Sequence, residues 1–159
     1  MAMLPITLTI AGAATLLNIW LGLRVSLLRR RHKVSIGHGG QSAIATRMRA
    51  HANYIEYAPF FLILLALIEM ARGSLGWLWI AGILFILGRL AHAFGMDRAG
   101  ANALRVGGIT VTWICLLGLA GYALAIPYLE RSKPAIVFTA ADQAPASTLS
   151  DTNGLVRRS

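Results

Sequence analysis

Arg49-Ala-His-Ala-Asn53-Tyr-Ile-Glu56-Tyr-Ala-Pro59 runs without a break into Phe60-Phe-Leu-Ile-Leu-Leu-Ala-Leu-Ile68. The second half has the composition of a membrane helix, and the first half puts an arginine, an asparagine and a glutamate where that helix begins. A charge at the bilayer centre costs at least about 2.5 kcal/mol on insertion scales, so an ionisable group in such a segment marks a site. Spacings of four and three place Arg49, Asn53, Glu56 and Phe60 on one helical face. A polar stripe on an apolar helix points inward, at a partner or a ligand.

The surrounding chain agrees with a membrane setting. Of 159 residues, 57% are hydrophobic and 13% charged, and the mean hydropathy is +0.64, outside the range of a soluble domain of this size. Apolar stretches of the length of about 20 residues that a bilayer demands predict helices over 4–28, 43–71, 75–94 and 104–129. Lipid cannot satisfy unpaired backbone groups, and runs this long exclude a barrel, whose strands alternate over about 10 residues. The expected fold class is therefore an all-α integral membrane protein, a four-transmembrane-helix bundle in one domain covering 1–130. Pro5 suits an opening helical turn. The lack of a basic residue before it, and the length of the first run, speak against a cleaved signal peptide. Gly107, Gly108, Gly118 and Gly121 offer places for close helix contact in the fourth span. Over 131–159 the composition turns small and polar, which predicts a poorly ordered tail.

The net charge of +9 is unevenly spread. Arg29, Arg30, Arg31 and Lys33 lie in the first connection and Arg98 in the third, on one side of the membrane; by the positive-inside rule that side is cytoplasmic. Both termini and the turn at Arg72-Gly73-Ser74 then face the other compartment. A juxtamembrane run of this kind sets topology and meets anionic lipid headgroups, so the bilayer and not nucleic acid is the expected partner. Cys115 is the single cysteine, which excludes an internal disulfide, and its apolar helix suits an inert thiol. His51, Glu56 and His92 lack the spacing of a metal site, so no metal is expected. His38-Gly39-Gly40 reads as a turn.

If the second helix enters from the basic side, Glu56 lies about 10 Å deeper than Arg49 at 1.5 Å per residue. The third helix returns toward the same side carrying Arg89 and His92, and the fourth starts there with Arg105. Arg49, Asn53, Glu56, Arg89, His92 and Arg105 therefore share one layer. Arg89 has two structural readings, as the charge partner of Glu56 or as a cation snorkelling to the headgroups. Several cations with one carboxylate and one amide suit a small zwitterion with excess negative charge. A nearby arginine also favours the thiolate of a thiol. A proton-coupled drug exporter would likewise need a membrane-embedded glutamate. Against it, Arg49, Arg89 and Arg105 would repel a cationic substrate.

At these residues the chain resembles the membrane-associated proteins in eicosanoid and glutathione metabolism (MAPEG), and among them small bacterial members. The resemblance rests on Arg49-x-x-x-Asn53-x-x-Glu56-Tyr57-x-Pro59, with Ile36-Gly-His-Gly-Gly40 upstream and Arg47-x-Arg49-Ala-His51 leading in, and covers 4–129. It implies a homotrimer in a bacterial inner membrane, with glutathione bound in the cytoplasm-facing half. By similarity Arg49, Asn53, Glu56 and Tyr57 would hold the peptide, with Arg30 or its neighbours Arg31 and Lys33 near it. Arg89-x-x-His92 is similar to a prostaglandin-synthase pattern, and Arg105 corresponds to the arginine that stabilises the thiolate. The implied activity is a glutathione transferase or peroxidase acting on a lipophilic substrate that arrives from the bilayer. Met96 departs from the family, whose better-known enzymes carry a tyrosine there; a thioether cannot donate a phenol's hydrogen bond.

Overall fold

The computed structural model describes residues 3–98 and 100–131, which form four helices and, among those residues, no strand: α1 (Pro5–His32), α2 (Ser42–Arg72), α3 (Gly76–Met96) and α4 (Ala103–Arg131). All four are long and apolar enough to cross a membrane, as the hydropathy predicts. Met1–Pro127 forms one compact unit; of the second, the described part is the last turn of α4. The tail expected over 131–159 lies, apart from Arg131, outside the described residues.

The helix ends explain the boundaries. Pro5 sits in the first turn of α1, and Leu4 before it supplies no side-chain cap. The cap comes from α2 instead: the buried carboxylate of Glu69 accepts the backbone N–H groups of Ile6 at 3.1 Å and Thr7 at 2.8 Å, and the hydroxyl of Ser74 at 2.8 Å. An anion at a helix N-terminus satisfies orphan donors and opposes the positive end of the dipole. At the other end α1 runs past Leu28 through Arg29, Arg30, Arg31 and His32, four residues further than the hydropathy predicts. Hydrophobicity delimits only the part in lipid, and cations in a last turn favour its continuation. The helix stops at Lys33, in the left-handed conformation, with the Val34 N–H returning to the Arg29 carbonyl at 2.9 Å. α2 carries Pro59 in its interior and ends at Gly73, φ 77°.

The core lies where α1, α2 and α3 face one another. Ile6, Ile10, Ala14, Leu17 and Leu21 recur at the helical period along α1 and pack with Tyr54, Ala58, Phe61, Leu65 and Ile68 of α2 and Leu78 and Phe85 of α3. The rings of Phe61 and Phe85 stack with centroids 3.9 Å apart. The Tyr54 hydroxyl donates to the Ala14 carbonyl at 2.7 Å, and His51 Nε2 lies 2.9 Å from Asn18 Oδ1, so two polar groups of α2 are satisfied on α1.

α3 and α4 meet almost backbone to backbone. A Cβ on Gly108 would stand 2.5 Å from the Gly88 carbonyl oxygen and 2.6 Å from the His92 nitrogen, and one on Gly95 would stand 2.3 Å from the Arg105 nitrogen. Small residues let membrane helices approach this closely. Of the four α4 glycines expected in close contacts, only Gly108 makes one among the described residues; Gly107, Gly118 and Gly121 face open space. The α4 start is fixed by Asn102, which accepts the Arg105 N–H at 3.1 Å and donates to the Gly95 carbonyl at 2.8 Å.

Candidate functional site

The polar residues expected to form a site collect toward the end of the bundle where α1 ends and α2 begins, in two tiers. In the deeper tier Arg89 of α3 is 1% exposed. Its Nη2 donates to Asn53 Oδ1 at 2.8 Å and its Nη1 reaches Thr112 Oγ1 at 3.5 Å, while Nε has no partner among the described residues. The guanidinium carbon lies 5.7 Å from the Tyr54 ring centre and 5.8 Å from that of Tyr57, within cation–π range. Asn53 passes the network on, its Nδ2 donating to Glu56 Oε2 at 3.4 Å, and Glu56 Oε1 pairs with Arg49 Nη1 at 3.2 Å. The stripe of α2 is thus continuous with α3 and, through Thr112, with α4. The partner of Arg89 is Asn53, and Glu56 is paired by Arg49.

His92 is 6% exposed, and its Nδ1 lies 3.0 Å from the Arg105 carbonyl oxygen. That oxygen can only accept, so Nδ1 carries the proton. The imidazole is therefore tied to the backbone of Arg105, not to its guanidinium.

The upper tier is a cluster of charge around the end of α3. Asp97, at the end of α3, pairs with Arg24 of α1 and with Arg47 Nε of α2 at 3.3 Å. The Arg24 guanidinium also lies over the Trp20 ring at 4.5 Å. One carboxylate thereby links three helices. Beside it opens a cavity of about 690 Å³, within the range of small-molecule sites, whose lining includes Arg47, Arg49, Arg98, Arg105, Asp97 and Met96. Among the described residues, neither Arg98 nor Arg105 has an ion-pair partner.

The expected site residues therefore divide. Arg49, Asn53, Glu56 and Arg89 form one network with Tyr57 against it, His92 joins through the Arg105 backbone, and Arg49 and Arg105 line one cavity. Arg30 stands apart, in a second cavity with Arg29 and Lys33. Met96 is buried in the wall of the arginine cavity. Sequence reasoning overlooked Asp97, Arg24 and Thr112. For Asp97 a signal existed: it is an acid embedded among the basic helix ends, where it must find cations.

The family model described as the MAPEG family matches residues 7–125. The chain is 32% identical over 107 residues to the inner membrane protein YecN of Escherichia coli K12, covering 67% of this chain and 81% of that protein. The same protein from the Escherichia coli O6:H1 strain CFT073 matches over the same 107 residues with the same identity.

Proposed function

That the chain belongs to the MAPEG family is the premise from which we propose that it is a glutathione-dependent transferase, activating the glutathione thiol for attack on a lipophilic electrophile. The observation that carries this reading is the cavity lined by Arg47, Arg49, Arg98 and Arg105. Glutathione brings two carboxylates and one ammonium, and gains a third negative charge as the thiolate. Arg98 and Arg105, without carboxylates of their own among the described residues, suit that excess. Guanidinium groups grip carboxylates in fork geometry, and Glu56, beside Arg49, is the anion for the ammonium.

In this reading Arg105 favours the thiolate by opposite charge, the thiol proton leaving to water. The sulfur then forms a C–S bond to an electrophilic carbon as the leaving group departs with its electron pair. Asn102 and the backbone tie to His92 hold the start of α4, and so Arg105, against α3. The electrophile enters from the bilayer, past the apolar outer faces of the helices. The family also implies a homotrimer, and the similarity to an inner membrane protein supports that membrane, with the basic helix ends toward the cytoplasm.

Met96 favours one further reading, binding without turnover, because the cavity wall there offers a thioether in place of a phenol donor. One titration separates the two. Reduced glutathione added to the detergent-purified protein at neutral pH should raise a saturable thiolate absorbance that Arg105→Ala loses, with conjugate formed from an added electrophile. A thiolate without conjugate selects the binding reading, and no thiolate refutes the activation.

A further inference from the structure

The second basic cavity shares no lining residue with the first. It measures about 420 Å³ and is lined by Ser26, Arg29, Arg30, Lys33, Val34 and Ser35, from the end of α1 and the loop after it. Three cations and two hydroxyls surround it, with no carboxylate among the described residues. Ser26 and Arg30 share a helical face by their spacing of four, and Lys33 follows at the cap of the same helix. The wall is fixed at Arg29, whose Nε donates to the Gly37 carbonyl at 3.1 Å and whose Nη2 lies 3.4 Å from the Met48 sulfur.

A second, independent feature marks the same place. Lys33, at φ 56°, is the one residue other than glycine with positive φ among the described residues. The position after a helix that ends this way is normally glycine, which adopts the left-handed region freely. Strained backbone under an ordinary side chain concentrates where that side chain has a task. Here it keeps an ammonium at the cavity.

Before the cavity, α1 carries an exposed apolar stripe about 16 Å long, roughly half the hydrocarbon core of a bilayer. Leu16, Ile19, Leu23 and Leu27 are 70%, 53%, 54% and 60% exposed. Spacings of three, four and four make them one stripe that ends beside Ser26 and three residues short of Arg30. Cations that meet the end of an exposed leucine and isoleucine stripe match a molecule with an anionic head and apolar tails. We propose that this cavity binds the phosphate headgroup of an anionic glycerophospholipid, with its acyl chains along the α1 stripe. Arg30 and Lys33 hold the phosphate oxygens, and Ser26 and Ser35 are within the same cavity to hydrogen-bond the headgroup. The site is independent of the glutathione reading and gives Arg30 a ligand other than the tripeptide.

The test compares the full-length protein in nanodiscs of phosphatidylglycerol or phosphatidylcholine with identical acyl chains, beside Arg30→Gln/Lys33→Gln. Phosphatidylglycerol should raise the thermal midpoint of the wild type by several degrees over phosphatidylcholine, and the double variant should lose that difference. Equal midpoints for the wild type, or a difference that survives in the variant, overturn the proposal. So does an equal rise from inorganic phosphate in phosphatidylcholine discs, which would assign a free anion. Lys33→Gly keeps the left-handed turn while removing the ammonium, so its expected loss of lipid preference cannot come from misfolding. Loss of the glutathione thiolate signal in the double variant would return Arg30 to the tripeptide and also refute the lipid assignment.

Discussion

Arg89 of α3 and Asn53 of α2 meet at 2.8 Å in the interior of the bundle, the guanidinium donating to the amide oxygen. This hydrogen bond lets an almost fully buried cation lie between apolar helices, and it joins the two helices that carry the deeper polar tier. With Arg89 Nε lacking a partner among the described residues, only the 3.5 Å contact to Thr112 and the Tyr54 and Tyr57 rings remain if the amide is removed.

Asn53→Leu should therefore destabilise the bundle by about 2 kcal/mol, the cost of leaving a buried charged donor unsatisfied. Combining it with Arg89→Met should recover most of the loss, since apolar replacement of a whole buried polar pair is often neutral. Thermal unfolding of the two single variants and the double, in one detergent, gives the coupling; simple additivity would show that the pair does not act as a unit.

Glu69→Ala should cost about 1 kcal/mol, as for loss of other N-terminal caps. The effect should be local. Hydrogen exchange at the Ile6 and Thr7 amides should accelerate while exchange in the middle of α3 stays unchanged, and unaltered protection at Ile6 would rule the cap out.

Asp97→Asn removes a carboxylate from the wall of the arginine cavity and frees Arg24 and Arg47. Binding of an anionic ligand should tighten on the order of a few-fold, the scale of part-exposed ion pairs, and the gain should shrink with added salt. Calorimetric titration with glutathione at two ionic strengths reads both. Weaker binding would mean instead that Asp97 positions Arg47 for the ligand.

Gly108→Ala and Gly107→Ala make a matched pair one residue apart. A methyl at 108 collides with the backbone of α3, whereas one at 107 meets nothing within 4 Å. The first should lose about 1–3 kcal/mol through overpacking and move Arg105 away from His92. The second should gain up to about 1 kcal/mol in helix propensity. Unfolding midpoints and the glutathione thiolate signal test both, and equal behaviour of the two would contradict the close approach.

The helices and the α2 stripe were legible because each depends on local information. Hydropathy over about 20 residues marks a span, and the spacing of Arg49, Asn53 and Glu56 fixes a shared face whatever the tertiary fold. The partners were less legible. Arg89 had two acceptors in reach by depth alone, and which one it takes depends on how α2 and α3 are rotated about their axes. Glu69 serves residues 62 and 63 positions away, a relation that no spacing rule contains; a first helix without a cap of its own was the only hint. Arg30 separates from Arg49 because α1 stays helical through the arginines, turning Arg30 toward Ser26 and Lys33. A hydropathy profile ends the helix where the lipid ends, four residues too early.

The Glu69 cap also bears on the order in which the chain enters the bilayer. The first turn of α1 is complete only when the far end of α2 has arrived beside it, so α1 alone in lipid carries exposed amide donors at its leading end. The arginines after α1 and at the start of α2 stay behind on the side of entry while Glu69 must cross. A helical hairpin that delivers its own carboxylate to its own N-terminus is thus the smallest insertion unit with that end satisfied. Slowing the passage of Glu69, by lengthening α2 or adding charge beside it, would prolong the interval in which a freshly inserted α1 can be pulled back out.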